Sequence, residues 1–543
     1  MRNLKRALSL ALAAIMLVGM MVVSASAASY NDLTDKDQIV NKDAVSMLVS
    51  LGIIEGKPDG SYGPTENVDR AQMAKMLSVI MNKGVDNSAL YQSVNSGLVD
   101  VNTNWAKGHI NYCYTTGIIA GRGNGKFDPS ATVTALEAAK MLLVAVGYDP
   151  AIEGFEGADW AINVSVRADE QGIFEGFTKD LSAPLNRDDA ALLIYNALDV
   201  EMIQSYTTNN YPIAYSDHRT ILADKYGVIK VQGVVVANEW ASLASDDGDA
   251  ALKEGKTTIY NGEGIFSTTG NTTVSKEDAS LKTQTFNVST PVDMLGKTVN
   301  LYIKKTTILA DSTVYGDPVV SDVNTVVTTG ETVLYSGAKD PQVDYDKLLG
   351  ENGLTDKDAK YFWNYNSGKY IPNTTEKYGD KTANVKGATL TIIDNNGDGE
   401  VDYVLSVEKA LADITSVNSK KETVTVRTLG TLDNKDVVGY EDMAKEDVVL
   451  YVQYGGRTYL EKPEVVTGEM EHFNVKGTEK YMTVGGEKYK ADELETNART
   501  EVVKFDVTEC DKANGVQFET SYNFYLDDYG NVIAFEEVEA AAK

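Results

Sequence analysis

The chain has 543 residues, 43% hydrophobic and 24% charged, with a formal net charge of −29. That length exceeds what one hydrophobic core organises, and the composition is that of folded globular domains rather than a disordered chain. So acidic a balance argues against nucleic acid or an anionic membrane as a partner over most of the surface.

The chain begins with Arg2, Lys5 and Arg6, then an apolar run from Ala7 to Val23, then Ala25-Ser26-Ala27. This order reads as a secretory signal peptide over residues 1–27, with the mature chain expected from Ala28. No later hydrophobic stretch is long enough to span a bilayer. The two cysteines, Cys113 and Cys510, are too few for a disulfide scaffold, and Cys113 shares an apolar helical face with Ala106 and Ile110, so a buried thiol is expected. His109, His218 and His472 have no second ligand at metal spacing.

One design then occurs three times. Gly52 to Lys75 reads GIIEGKPDGSYGPTENVDRAQMAK, Gly117 to Lys140 reads GIIAGRGNGKFDPSATVTALEAAK, and Gly172 to Ala191 reads GIFEGFTKDLSAPLNRDDAA. Each copy closes a helix at glycine, turns through a loop and opens a second helix. The second helix starts at a capping pair: Asp69 with Gln72, Thr134 with Glu137, and a weaker Asn186 with Asp189. Apolar residues follow at helical spacing, Met73, Met76, Leu77 and Ile80 in the first copy, and they are expected in the core. One helix pair cannot bury its apolar face alone, so the three are expected to pack as one body.

The pattern resembles the S-layer homology domain, whose repeats read F-x-D, W-A, G-I-I-x-G, G-x-F-x-P and T-R-A-E. Tyr30-Asn31-Asp32 and Leu98-Val99-Asp100 stand for the first element, Trp105-Ala106 and Trp160-Ala161 for the second, and Val68-Asp69-Arg70-Ala71-Gln72 and Asn186-Arg187-Asp188-Asp189 for the last. The resemblance covers about a third of the chain. It implies a pseudo-trimeric helical bundle that binds peptidoglycan-linked secondary cell-wall polymer non-covalently, the arginine and nearby loop groups holding an acidic, often pyruvylated, sugar. An arginine in a helix's first turn, beside free N–H groups, is a sensible carboxylate site in its own right. The residues the resemblance assigns to polymer binding are Arg70, Arg187, Asp32, Asp100, Trp105 and Trp160. The second copy has Ala135 where the arginine belongs, so Arg122 or Lys126 is expected to substitute; the first lacks Trp-Ala and the third a clear F-x-D.

Residues 201–224 turn polar and read as a linker. Beyond them Val, Ile, Thr and Tyr alternate between turn residues, the signature of strands. A faint echo runs through this half: Val231-Gln232-Gly233-Val234 leads to Leu301-Tyr302-Ile303, Val466-Thr467-Gly468-Glu469 leads to Phe524-Tyr525-Leu526, and a third segment runs from about Ala412 to Tyr459. The expected architecture is multidomain: repeats at 28–83, 95–148 and 155–200 forming an all-α bundle, the linker, then all-β barrel- or sandwich-like modules at 225–410 and 411–543.

The loop Asp394, Asn396, Asp398, Glu400 and Asp402 matches the opening of a calcium loop, oxygens at alternate positions with glycine at the turn. Its flanks read as strands, so a plain hairpin turn is the competing reading. No G-x-S-x-G, H-E-x-x-H or P-loop pattern occurs. The expectation is therefore a non-enzymatic surface protein of a Gram-positive cell: secreted, wall-anchored, self-assembling as an S-layer or S-layer-like subunit. An anchored adhesin or carbohydrate-binding protein is the alternative, and an anchored hydrolase the weakest.

Overall fold

A computed structural model describes residues 30–244, 251–262, 264–265, 267–269, 282–304, 311–330, 333–334, 343–365, 388–476, 480–491 and 495–538. The expected signal peptide at 1–27 lies outside these residues. Two compact units emerge. The first holds the chain to Gln232 with Asn261–Val288 and Asn300–Val319; the second holds Gly233–Tyr260, Ser289–Val299 and Val320–Lys543.

The first unit contains six helices in the repeat region: α1 (Lys42–Ser50), α2 (Arg70–Met81), α3 (Lys107–Thr115), α4 (Ala135–Val146), α5 (Trp160–Glu170) and α6 (Arg187–Leu198). The second helix of each repeat starts as its sequence dictates. The Asp69 carboxylate accepts from Gln72 N at 2.7 Å while Gln72 Oε1 accepts from Asp69 N at 3.0 Å, and Thr134 with Glu137 forms the same reciprocal pair. In α6 only half of the box forms: Asn186 accepts from Asp189 N at 2.7 Å, and the shorter Asp189 side chain pairs with Lys179 instead. The glycines that stop α1, α3 and α5 (Gly52, Gly117 and Gly172) all have φ near +70 to +80°, where any side chain would be strained.

Three short segments preceding α2, α4 and α6 meet at the centre of the repeats. Val68 N donates to Leu185 O at 2.8 Å, Leu185 N to Val133 O at 2.8 Å, and Val133 N to Val68 O at 2.9 Å, so the three hydrogen bonds close a ring. Their side chains are buried, and around them lie Leu77, Leu142, Ile194 and the fully buried Cys113.

The expected linker is folded. Ile203–Tyr206 pairs with Pro212–Ala214 as a hairpin, Tyr206 OH donates to Glu153 at 2.9 Å, and Ile221 and Leu222 join the core of the helices. Its polar composition belongs to the solvent face of a hairpin rather than to a free tether. The boundary expected at 225 is not a structural one either. Tyr302 enters the same core and meets Tyr195 OH at 3.0 Å, and Gly316 lies against α1, its N–H donating to Ser50 Oγ at 3.0 Å.

The second unit is β-rich. One sheet has the order Lys360–Trp363, Tyr403–Glu408, Ala388–Asp394, Thr325–Thr329. Two further sheets share one plan. In the earlier, β1 (Ala410–Asn418), β2 (Thr423–Val426), β3 (Gly430–Asp433), β4 (Val437–Val438), β5 (Val448–Tyr454) and β6 (Arg457–Glu461) lie in the order β3-β2-β1-β5-β6-β4. In the later, β7 (Val465–Asn474), β8 (Tyr481–Val484), β9 (Glu487–Tyr489), β10 (Val503–Lys504), β11 (Ser521–Leu526) and β12 (Val532–Glu537) lie in the order β9-β8-β7-β11-β12-β10. Each has an irregularity in its long first strand, at Ile414/Ser416 and at Met470/His472. Two of the three echoing segments, those reaching Tyr459 and Leu526, thus share a strand order, although β4 runs parallel to its neighbour and β10 antiparallel. The sheets are open. Barrel closure requires the outermost strands to pair, and among the described residues these are edges of two to five residues that do not. Among the described residues no helix is long and apolar enough to cross a membrane.

Candidate functional site

Two grooves on the helical unit repeat one arrangement. In groove A, Arg187 at the start of α6 meets the loop of the first repeat (Ile54 to Lys57) and the outer face of α2 (Gln72, Lys75, Met76), with Trp105 at the rim. In groove B, Arg70 at the start of α2 meets the loop of the second repeat (Ala120 to Arg122) and the outer face of α4 (Glu137, Lys140, Met141), with Trp160 at the rim. Each groove is therefore built from three repeats: an arginine from one, a loop and helix from the next, a tryptophan from the one after. The loops pass close beneath. A Cβ at Gly121 would sit 2.9 Å from Lys126 O, so the second glycine of the G-I-I-x-G pattern is required by packing.

The arginines hold these loops. Arg70 is 4% exposed; its Nε donates to Phe127 O at 2.8 Å, its Nη2 to Ala120 O at 2.9 Å, and its guanidinium lies 4.4 Å from the Phe127 ring centre. Burial lowers its proton affinity and the nearby Glu137 carboxylate raises it. An arginine stays charged under such an opposition at neutral pH. Arg187 does the same less completely, with Nε on Tyr62 O at 2.8 Å and the guanidinium over the Tyr62 ring at 4.7 Å.

The cations of groove A are Lys57, Lys75 and Arg187, with Lys57 paired to Glu66 and Lys75 to Glu55 at 3.6 Å; those of groove B are Arg70, Arg122 and Lys140 against Glu137 and Glu156. Arg122 pairs with Glu137 at 2.6 Å. Lys140 Nζ donates to Phe155 O at 2.5 Å and lies 5.7 Å from the Trp160 ring centre, its charge disfavoured by burial. Trp105 is 58% exposed. Each groove thus offers an apolar wall, an aromatic face and a local excess of positive charge in an otherwise acidic chain.

Of the residues assigned by sequence, Arg187 and Trp105 meet in groove A, and Arg70, Arg122 and Trp160 in groove B. Lys126 and Asp32 line neither. Asp100 is a loop brace: it accepts from Phe127 N at 2.9 Å and Asp128 N at 2.8 Å. Burial pushes its carboxyl up, yet the amide bonds outweigh this and hold it below the usual carboxylate range. The matching brace in the first repeat is Asp35, on Tyr62 N at 2.7 Å and Gly63 N at 2.8 Å. The F-x-D element therefore falls on Leu33-Thr34-Asp35, three residues after the position assigned by sequence; the aromatic at Tyr30 drew the assignment away. Sequence reasoning also missed Lys75 and Lys140, and took Met76 as plain core, although Lys-Met closes the motif in both copies.

The third corresponding interface lacks all three groups. Ala135 replaces the arginine, Leu192 the lysine, and Val40 stands where Trp105 and Trp160 do. There Asp188 accepts from Val40 N and Asn41 N, both at 3.2 Å, which ties α6 to the start of α1.

The loop from Asp394 to Asp402 joins two strands as a hairpin. The Asp394 carboxylate, 1% exposed, accepts from Asn396 N, Gly397 N and Gly399 N at 3.1, 2.7 and 3.0 Å. Asn396 and Asp398 accept from Asp398 N and Glu400 N, Asp402 from Asn395 N, and Glu400 pairs with Lys357. Asp527 plays the same part in the β11–β12 turn, accepting from Tyr529 N and Asn531 N at 2.8 Å. Among the described residues these side chains accept hydrogen bonds within the turn, and no three His, Cys, Asp or Glu groups are gathered as metal ligands. Millimolar calcium is expected to leave the melting temperature of the chain where EDTA leaves it; a calcium-dependent rise abolished by Asp398→Ala would overturn this.

Residues 29–74 and 99–139 match the S-layer homology domain. The chain is 28% identical to a cell surface protein of Thermoanaerobacter kivui over 49% of this chain and 32% of that protein. It is 27% identical to the middle cell wall protein of Brevibacillus brevis over 38% of this chain and 18% of that protein. It is also 30% identical to an amylopullulanase of Thermoanaerobacterium thermosulfurigenes over 32% of this chain and 10% of that enzyme. The aligned part of the chain thus spans about a third or less of these relatives.

Proposed function

We propose that this chain, which carries S-layer homology repeats, is a cell-surface protein held to the wall by grooves A and B, each taking an acidic sugar unit of a secondary cell-wall polymer. The observation that carries the reading is the duplicated set of arginine, lysine, methionine and tryptophan, drawn in each groove from three different repeats. The ring through Val68, Val133 and Leu185 supports a pseudo-trimeric arrangement of the repeats, and the third interface, with Ala135, Leu192 and Val40 at the arginine, lysine and tryptophan positions and Lys179 paired with Asp189, leaves two sites of this kind rather than three. Two weak sites on one body bind a polymer far more tightly than either alone.

The β-rich second unit, with its repeated strand order, supports a structural S-layer-like role outside the cell. The similarity to an amylopullulanase keeps an anchored hydrolase as the second reading, because related repeats occur in an enzyme of that name.

The test is sedimentation with isolated walls, before and after chemical removal of the secondary polymer. Trp105→Ala with Lys75→Ala, or Trp160→Ala with Lys140→Ala, is expected to weaken binding about tenfold or more, and the four together to abolish it. Unchanged sedimentation of the fourfold variant would overturn the assignment.

A further inference from the structure

Beneath groove A lies a buried polar cluster with no counterpart under groove B. His109 of α3 is 3% exposed. Its Nδ1 is 2.5 Å from Ser78 Oγ of α2, and its Nε2 is 3.6 Å from Asp86 in the segment after α2. Two residues of this cluster's own helical turns line the groove. Trp105, one turn before His109, meets the imidazole edge to face at 6.4 Å between ring centres. Lys75, one turn before Ser78, offers its carbonyl to Ser78 Oγ at 3.2 Å while its ammonium faces the groove, where Glu55 lies 3.6 Å away. In groove B the same two positions are Leu143 and Val164, fully buried on the packed pair α4 and α5. One interface is titratable and its twin is not.

The ring can hold either charge state without breaking the cluster. Neutral, it accepts at Nδ1 from Ser78 and turns Nε2–H toward Asp86. Protonated, Nδ1–H donates to Ser78 Oγ, whose own hydrogen turns to the Lys75 carbonyl. The charged groups facing the imidazole are Asp86, which favours the imidazolium, and Lys75, which opposes it. Burial opposes it most and holds the proton affinity below the ordinary histidine value. An anion seated against Lys75 would remove part of that opposition.

We propose that His109 is a proton-linked element of groove A: it takes up a proton from solvent when an anionic ligand occupies that groove, so that binding at groove A, and not at groove B, strengthens as pH falls. This rests on the reading of the grooves as acidic-sugar sites. By linkage, the ligand raises the proton affinity of His109 by the factor by which the proton raises ligand affinity. One unit charge acting over roughly 10 Å at intermediate dielectric corresponds to about a fivefold effect.

The test is calorimetric titration of the full chain with a pyruvylated hexosamine disaccharide, whose carboxylate stays ionised throughout, between about pH 7.5 and about pH 5.5. With groove B disabled by Trp160→Ala and Lys140→Ala, affinity is expected to rise on acidification, by up to about fivefold. With groove A disabled by Trp105→Ala and Lys75→Ala, it is expected to stay flat. His109→Gln should flatten the first profile; should that variant fail to fold, Ser78→Leu with His109→Val installs the pair that groove B already tolerates. The His109 ring resonance should also titrate at higher pH when the disaccharide is bound. An undiminished rise in the His109 variants, or a ligand-independent His109 titration, would overturn the proposal. Binding at neither groove at any pH would overturn the reading of the grooves as well.

Discussion

Replacing Arg70 with alanine is expected to destabilise the helical unit by about 3–5 kcal/mol and to lower its melting temperature before any effect on binding can be read. The guanidinium is buried, and its removal leaves Phe127 O and Ala120 O without their donors and the Phe127 ring without its cation. Arg70→Lys is expected to fare little better, because an ammonium reaches one carbonyl and not two in the plane of a fork. Arg187→Ala, at a partly exposed site with one short bond, is expected to cost about 1–2 kcal/mol. Chemical denaturation of the three variants checks the order. A fully stable Arg70→Ala protein would mean that the loop between Ala120 and Phe127 is held by something else. The consequence for function is practical: the arginines build the grooves, so loss of binding in their variants does not identify a contact. Lys75 and the exposed Trp105 can be removed with less effect on the scaffold, whereas Lys140 also holds Phe155 O and Trp160 packs on the core, so the stability of groove B variants is measured beside their binding.

A fragment ending at residue 200 is the second case. The repeats as read from sequence end there, but Ile221, Leu222, Val228 and Tyr302 belong to the same core. Each fully buried side chain of this size contributes about 1.5–3 kcal/mol, so the fragment is expected to be several kcal/mol less stable than the same helices in the full chain. The gap will be smaller to the extent that the helices close over the exposed surface. Thermal melting and dye binding to exposed apolar surface report it. A fragment of 30–200 that melts with the intact chain would show that the later segments add nothing to the helical core. Wall-binding experiments on a short fragment are therefore weaker evidence than the same experiments on the intact chain.

Much of the helical unit was legible because its signals are local. A capping box spans four residues, a glycine stop one, and an apolar helical stripe about ten; the partners are neighbours in sequence, so the letters alone place them. The near-miss at Tyr30 has the same origin, since two acidic residues three apart both fit a local pattern and only the amides of Tyr62 and Gly63 choose Asp35. The hairpin at Asp394 was ambiguous for a related reason. Alternating carboxylates suit a cation or a turn equally, so the letters alone do not choose between them.

The sequence by itself determined the repeats, their helix starts and stops, the change to strands and the identities of the groove arginines and tryptophans. Only the tertiary structure decided what those residues do together. Each arginine leaves its own repeat and reaches into the loop of the next, because the ring through Val68, Val133 and Leu185 carries every helix start across to its neighbour. That step joins residues tens to more than a hundred positions apart, a separation at which no spacing rule operates. It also decided that Lys75 and Lys140 face the grooves and that one imidazole lies beneath only one of them, since a side chain's partners across a packed interface are set by the fold and not by its neighbours in the chain.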